Sequence, residues 1–101
     1  MSKINVEKIK ELSSVREKID QVDSQLLDLL TQRSHWIEKI AEIKCRNRCS
    51  IYDGERENLI LEKVTAENPT SYQATDMASI FHAILRAGLN QQLLYRSEHK
   101  D

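Results

Sequence analysis

The chain has 101 residues, a net charge of −1 from 15 basic and 16 acidic side chains, and only two glycines and one proline. That length supports one hydrophobic core without disulfides or metals. Three turn-formers are too few for a sandwich or barrel, and the near-neutral charge removes the electrostatic case for nonspecific nucleic-acid binding.

The longest apolar run falls far short of the ~20 residues that span a bilayer. Met1 to Leu12 alternates charges with isolated apolar residues and has no signal-peptide core. The expectation is a cytoplasmic, all-helical, single-domain chain over 1–101, with 1–12 as an N-terminal extension that can itself be helical and 97–101 as a tail. Its two cysteines, Cys45 and Cys49, lack the partners of a zinc site, since His35, His82 and His99 have no metal-type spacing to them. Two free thiols and no metal are expected.

Ser14-Val15-Arg16-Glu17 reads as a capping box for the first helix. Beyond it Val15, Ile19, Val22, Leu26, Leu29/Leu30, Ile37, Ile40 and Ile43 recur at spacings of three and four, an amphipathic helix running to about Arg46. Some 30 residues at 1.5 Å each make roughly 45 Å, whereas a 100-residue globule has a radius of gyration of about 13 Å. The apolar stripe follows nearly the whole helix, so a second chain is expected to cover it. Asn47 to Tyr52 forms a loop, and Asp53 caps a second helix with Glu55 and Glu57 in its first turn. Leu59, Ile60 and Val64 are its apolar side and Asn68-Pro69 its end. After a loop at 70–75, Thr75 or Asp76 caps a third helix that turns Met77, Ile80, Phe81, Ile84 and Leu85 inward and reaches about Arg96.

Polar residues interrupt these apolar faces. Arg16, Asp23, Leu30, Ile37 and Lys44 lie at seven-residue intervals on one stripe, and Arg33 lies seven residues from both Leu26 and Ile40. Arg56 and Glu57 precede Ile60 by about one turn, while Gly88 and Gln92 continue the stripe of Ile84 and Leu85. Salt bridges and cationic stems laid over apolar surface explain any one of these residues. In the inward set Arg16, Arg33, Lys44, Arg56, Glu57 and Gln92, four cations and one acid leave a surplus of positive charge, which points to a small ligand with more than one negative group. Gly88 within a helix costs about 1 kcal/mol relative to Ala and makes room either for a ligand or for a neighbouring helix. Arg33 and Lys44 are roughly 16 Å apart along one face, but Arg16 is about 42 Å from Lys44 on a continuous helix. Arg16 therefore serves a partner chain's site if it serves one at all.

The series Arg16-Glu17-x-Ile19-x3-Asp23-x2-Leu26-Leu27-x-Leu29-Leu30-x2-Arg33, followed by Lys44, Asp53-x2-Arg56-Glu57 and Gln92, resembles the all-helical (class II) chorismate mutases. The likeness covers about Leu12 to Leu94. It implies an intertwined homodimer of three-helix subunits (long, short, medium) with sites shared between chains. It also implies an isomerase of aromatic amino acid biosynthesis that converts the dianion chorismate to prephenate without a cofactor. Carried over, Arg33 and the partner's Arg16 would grip carboxylates, which a guanidinium fork matches in two places. Lys44 would bond a carboxylate and the breaking ether oxygen, and Gln92 would donate to that same oxygen. Glu57 and the backbone near Asp53 would hold the ring hydroxyl, and Arg56 would orient the site.

Gly88 departs from the pattern, since some members have Ser there, so a hydroxyl contact to the substrate is missing. Isochorismate-pyruvate lyases and mutases of the 4-amino analogue share this fold; Glu57 favours the mutase on chorismate, because relatives with lyase activity tend to lack that acid. A non-catalytic helical dimerisation module is the alternative from outside enzymology, and it predicts protein acids as partners for the inward cations. The length leaves no room for a fused second enzyme, so a monofunctional protein is expected.

Overall fold

A computed structural model of the chain describes residues 9–99. It holds three helices, α1 (Lys10–Arg46), α2 (Gly54–Ala66) and α3 (Ala74–Glu98), and no strand among the described residues. None of these helices is long and apolar enough to cross a membrane. The long, short, medium order agrees with the periodicity. The part of the expected extension at 1–8 and the last two residues of the tail lie outside the described residues.

The boundaries differ from expectation in three places. Helix α1 is already running at Lys10, within the stretch read as able to be helical, so Ser14 is inside it and the expected capping box does not start the helix. Nothing between Ile9 and Leu12 breaks a helix, and the Ser13 amide already donates to the Ile9 carbonyl at 3.1 Å. Helix α3 begins at Ala74, ahead of the expected caps Thr75 and Asp76. Its N-cap is Gln73, which has no side-chain cap bond; its carbonyl accepts from the Asp76 and Met77 amides. At the other end α3 continues through Ser97 and Glu98, which were expected in the tail.

The chain divides into two units, Met1–Arg33 and Ser34–Asp101. In the first, described from Ile9 onward, α1 follows a heptad pattern with Val15, Ile19, Val22, Leu26 and Leu29 on one face. Each of these five is more than half exposed.

In the second unit α2 packs on α3. The last turns of α1 are tied to α3 by Gln91, whose amide nitrogen donates to the Ser34 carbonyl at 2.8 Å and to Glu38 Oε2 at 3.2 Å. The buried apolar residues here are Ala41, Ile51 and Leu85, with Gly88 and Gln92 buried beside Leu85 on the stripe of α3. On α2 the covered residues are Gly54, Glu57, Ile60, Leu61, Val64 and Thr65 at helical spacing; Leu59, expected inward, falls off that stripe and is 60% exposed. Ile80 on α3 is likewise more exposed than expected, at 43%. Trp36, Ile40 and Ile43 are exposed although Ala41 between them is fully buried. At about 100° per residue those three point roughly 100–160° round the helix from Ala41. Helix α1 therefore carries a second apolar face, distinct from the one that packs on its own chain.

Candidate active site

The residues singled out above occupy two settings. Arg16 and Arg33 lie on α1 in the first unit, Arg16 exposed and Arg33 half-buried, and each is engaged in interactions of its own. Lys44, Asp53, Arg56, Glu57, Gly88 and Gln92 lie in the second unit.

Lys44 sits where α1 ends, and the manner of ending fixes the course of the loop to α2. The Cys49 amide donates to the Lys44 carbonyl at 2.8 Å and the Arg48 amide to the Cys45 carbonyl at 3.2 Å. Arg48 has φ 56, in the left-handed region. This is a Schellman motif, whose C′ position is usually glycine; an L-residue there costs about 1–2 kcal/mol. The turn brings the chain back along the helix end, and the Lys44 ammonium donates to the Ile51 carbonyl at 2.6 Å. Ile51 anchors that segment with a side chain only 4% exposed.

Asp53 is the N-cap of α2, as expected: its carboxylate accepts from the Arg56 amide at 3.1 Å and its carbonyl from the Glu57 amide at 3.1 Å. The cap sets the first turn of α2, with Arg56 exposed and Glu57 half-buried on the covered stripe. The inward reading thus fits Glu57 but not Arg56, whose side chain stands one residue off that stripe. Gly54 opens the helix against Tyr52; a Cβ there would meet the Tyr52 hydroxyl at 3.2 Å.

On α3, Gly88 and Gln92 are both buried, one turn apart. The Gln92 amide nitrogen donates to the Gly88 carbonyl at 3.3 Å. Its Oε1 is buried without a partner while the residue is 8% exposed. A buried acceptor left unpaired costs about 1–3 kcal/mol, so this amide is the group in the second unit with the strongest physical claim on a ligand or water.

Tyr95, three residues on, has its hydroxyl pushed above the ordinary tyrosine range by burial, with Glu42, Cys45 and Glu38 acting in the same direction. It stays neutral and stacks on His99, with ring centroids 3.9 Å apart.

Arg96 was not among the residues expected to face inward. It lies one turn past Gln92, half-buried, and donates from Nη2 to the Cys49 carbonyl at 2.6 Å. Its four-residue spacing from Gln92 was the signal available in the sequence.

Among the described residues no group of three or more His, Cys, Asp or Glu side chains could hold a metal ion. Cys45 and Cys49 are free.

A family model described as chorismate mutase type II matches residues 15–93. The chain is 36% identical over 64 residues to the bifunctional chorismate mutase/prephenate dehydratase of Aquifex aeolicus, covering 63% of this chain and 18% of that protein. It is 36% identical over 56 residues to the chorismate mutase of Methanocaldococcus jannaschii, covering 55% of this chain and 57% of that one. The matches thus span less than two thirds of either relative's length. The structure of the chorismate mutase (Form II) from Thermus thermophilus superposes with a TM-score of 0.80 at 26% identity, over 82% of this chain and 94% of that one.

Proposed function

The chain belongs to the chorismate mutase type II family, and on that premise we propose that it converts chorismate to prephenate as a cytoplasmic homodimer, serving aromatic amino acid biosynthesis. The observation that carries the reading is the extent of the family match, residues 15–93, which takes in every candidate residue from Arg16 to Gln92.

The rearrangement is intramolecular and moves no proton and no electron to the protein. A site for it has two tasks: to hold the substrate with its enolpyruvyl arm folded over the ring, and to stabilise charge that builds on the breaking ether oxygen. Cations and neutral donors suffice for both, and no cofactor takes part.

In this reading Arg33 and the partner's Arg16 grip the two carboxylates, and Lys44 meets a carboxylate and the ether oxygen. The Gln92 amide nitrogen carries two hydrogens. One is on the Gly88 carbonyl and the other remains for the ether oxygen, a contact that strengthens as the bond breaks. Glu57, with the backbone at Asp53, accepts from the ring hydroxyl, and Arg56 orients the site. Gly88 leaves space where a side chain would otherwise touch the substrate.

The homodimer is supported by the uncovered heptad face of α1. Val15, Ile19, Val22, Leu26 and Leu29 each stand more than half exposed in one chain, and Trp36 is 66% exposed. Monomeric proteins rarely leave so long an apolar stripe in water, and burying each such side chain is worth about 1.5–3 kcal/mol at most. Loss of chorismate on incubation with the purified wild-type protein, absent after heat inactivation, tests the activity. A folded dimer that leaves chorismate unchanged would contradict the proposal.

A further inference from the structure

We infer that Arg96 is a positioning residue for this site: from the last turn of α3 it holds the Cys49 carbonyl, and through that loop the carbonyl that fixes Lys44. The inference rests on the proposed reading of Lys44 as a group that meets the substrate.

The loop between α1 and α2 is secured at both ends by local hydrogen bonds, through the Schellman turn at Arg48 and the Asp53 cap. Its middle is secured by cations from two different helices. Lys44 of α1 donates to the Ile51 carbonyl and Arg96 of α3 donates to the Cys49 carbonyl, both at 2.6 Å. Such charge-assisted bonds are shorter and stronger than neutral ones. A basic residue in the last turn of a helix has an ordinary explanation, complementing the helix dipole. That explanation leaves the guanidinium in solvent beside its own carbonyls. Here the residue is half-buried and its guanidinium, at the surface, bonds a carbonyl 47 positions away in the chain.

The placement has a mechanical consequence. Arg96 is one turn from Gln92 on the covered stripe of α3. A chain of covalent and hydrogen bonds runs from Gln92 along α3 to Arg96, across to Cys49, on to Ile51 and from there to the Lys44 ammonium. The Lys44 backbone is already fixed, because its carbonyl accepts from the Cys49 amide. What Arg96 adds is the position of the loop relative to α3, and with it where the Lys44 ammonium rests relative to the Gln92 amide. Those are the two groups assigned to the ether oxygen, where a displacement of about 1 Å can cost on the order of 100-fold in rate.

The test compares Arg96→Met, which keeps a long stem without donors, with Arg96→Lys, which keeps a cationic donor. kcat and KM for chorismate are measured per folded dimer, alongside amide hydrogen exchange of the peptide spanning 47–53. Expected for Arg96→Met is a loss in kcat on the order of 10- to 100-fold, a smaller change in KM, and faster exchange in that peptide. Arg96→Lys should recover most of both losses. An Arg96→Met protein with wild-type kcat and wild-type exchange would overturn the inference, as would equal losses in the two variants that track only the unfolded fraction. Should Arg96→Met not fold, Arg96→Gln takes its place, and Arg96→Lys must then exceed it in kcat. If the wild type leaves chorismate unchanged, the activity reading fails, whereas the exchange comparison still decides whether Arg96 holds the loop.

Discussion

Replacing Gln92 by Glu exchanges a group that cannot titrate for one that can, at a position only 8% exposed. The amide donates to the Gly88 carbonyl at 3.3 Å. A protonated carboxyl can keep that bond, but a carboxylate would face the carbonyl with acceptors alone. Desolvation and this lost bond both favour the neutral form and raise the pKa above the reference of about 4.3. Full burial alone is worth up to about 3–5 units. With a rise of only about two units, the protonated fraction falls from about 95% at pH 5 to about 6% at pH 7.5, a rate loss of roughly 15-fold.

Even at pH 5 the variant should be slower than wild type by about 2- to 13-fold, because an acid has one hydrogen for two acceptors. Stability moves in the same direction. A carboxyl whose folded pKa lies above its unfolded value stabilises below about pH 4.3 and loses that contribution as pH rises through the folded value. The melting temperature of Gln92→Glu should therefore fall between pH 5 and 7.5 relative to wild type, by the equivalent of about 1.7 kcal/mol for a two-unit rise. The assays are kcat across pH 5–8 and thermal melts at both ends of that range. A variant whose rate and melting temperature relative to wild type do not change with pH would refute the placement of this side chain in a dry site against Gly88.

Arg16→Ala and Lys44→Ala homodimers should each be nearly inactive, and mixing them under subunit exchange should restore one intact site per heterodimer; no recovery despite confirmed exchange would end the assignment of Arg16 to a partner's site. Glu57→Ala should slow chorismate turnover by about 5- to 150-fold, the rate equivalent of an unpaired buried hydroxyl at about 1–3 kcal/mol, while Glu57→Gln, which keeps an acceptor oxygen, loses less; equal losses would argue against an acceptor role. Arg48→Gly should stabilise the fold by about 1 kcal/mol, raising the melting temperature by about 4–8 °C; no gain would mean that the left-handed turn ending α1 carries no strain.

Parts of this molecule are plain in the sequence and others are not, for physical reasons. Asp53-Gly54-Glu55-Arg56-Glu57 announces the start of α2 because a carboxylate cap and first-turn acids are local chemistry, and the Asp53 side chain does accept from the Arg56 amide. Helix α3 starts earlier than Thr75 because Gln73 caps it through the backbone alone, leaving no side-chain signature. The end of α1 was placed correctly, but its left-handed turn was hidden, because Arg48 stands where glycine would have marked it.

The apolar stripe of α1 was legible as a stripe. Its periodicity does not say what covers it, and Val15 to Leu29 turn out uncovered within one chain. In the second unit the residue of α1 that is fully buried is Ala41, too small to stand out in a hydrophobic pattern. Among the candidate residues, Gln92 and Gly88 are as buried as their spacing implied, whereas Arg16 and Arg56 are exposed. Arg96 was missed because a terminal arginine has an ordinary explanation until its hydrogen-bond partner is seen.

The most direct test of the central claim is product identification after separate incubations of the wild-type protein with chorismate and with isochorismate. The expected result is prephenate from chorismate, formed faster than any pyruvate is released from isochorismate. Pyruvate released from isochorismate faster than prephenate forms from chorismate would contradict the claim and make the protein a lyase.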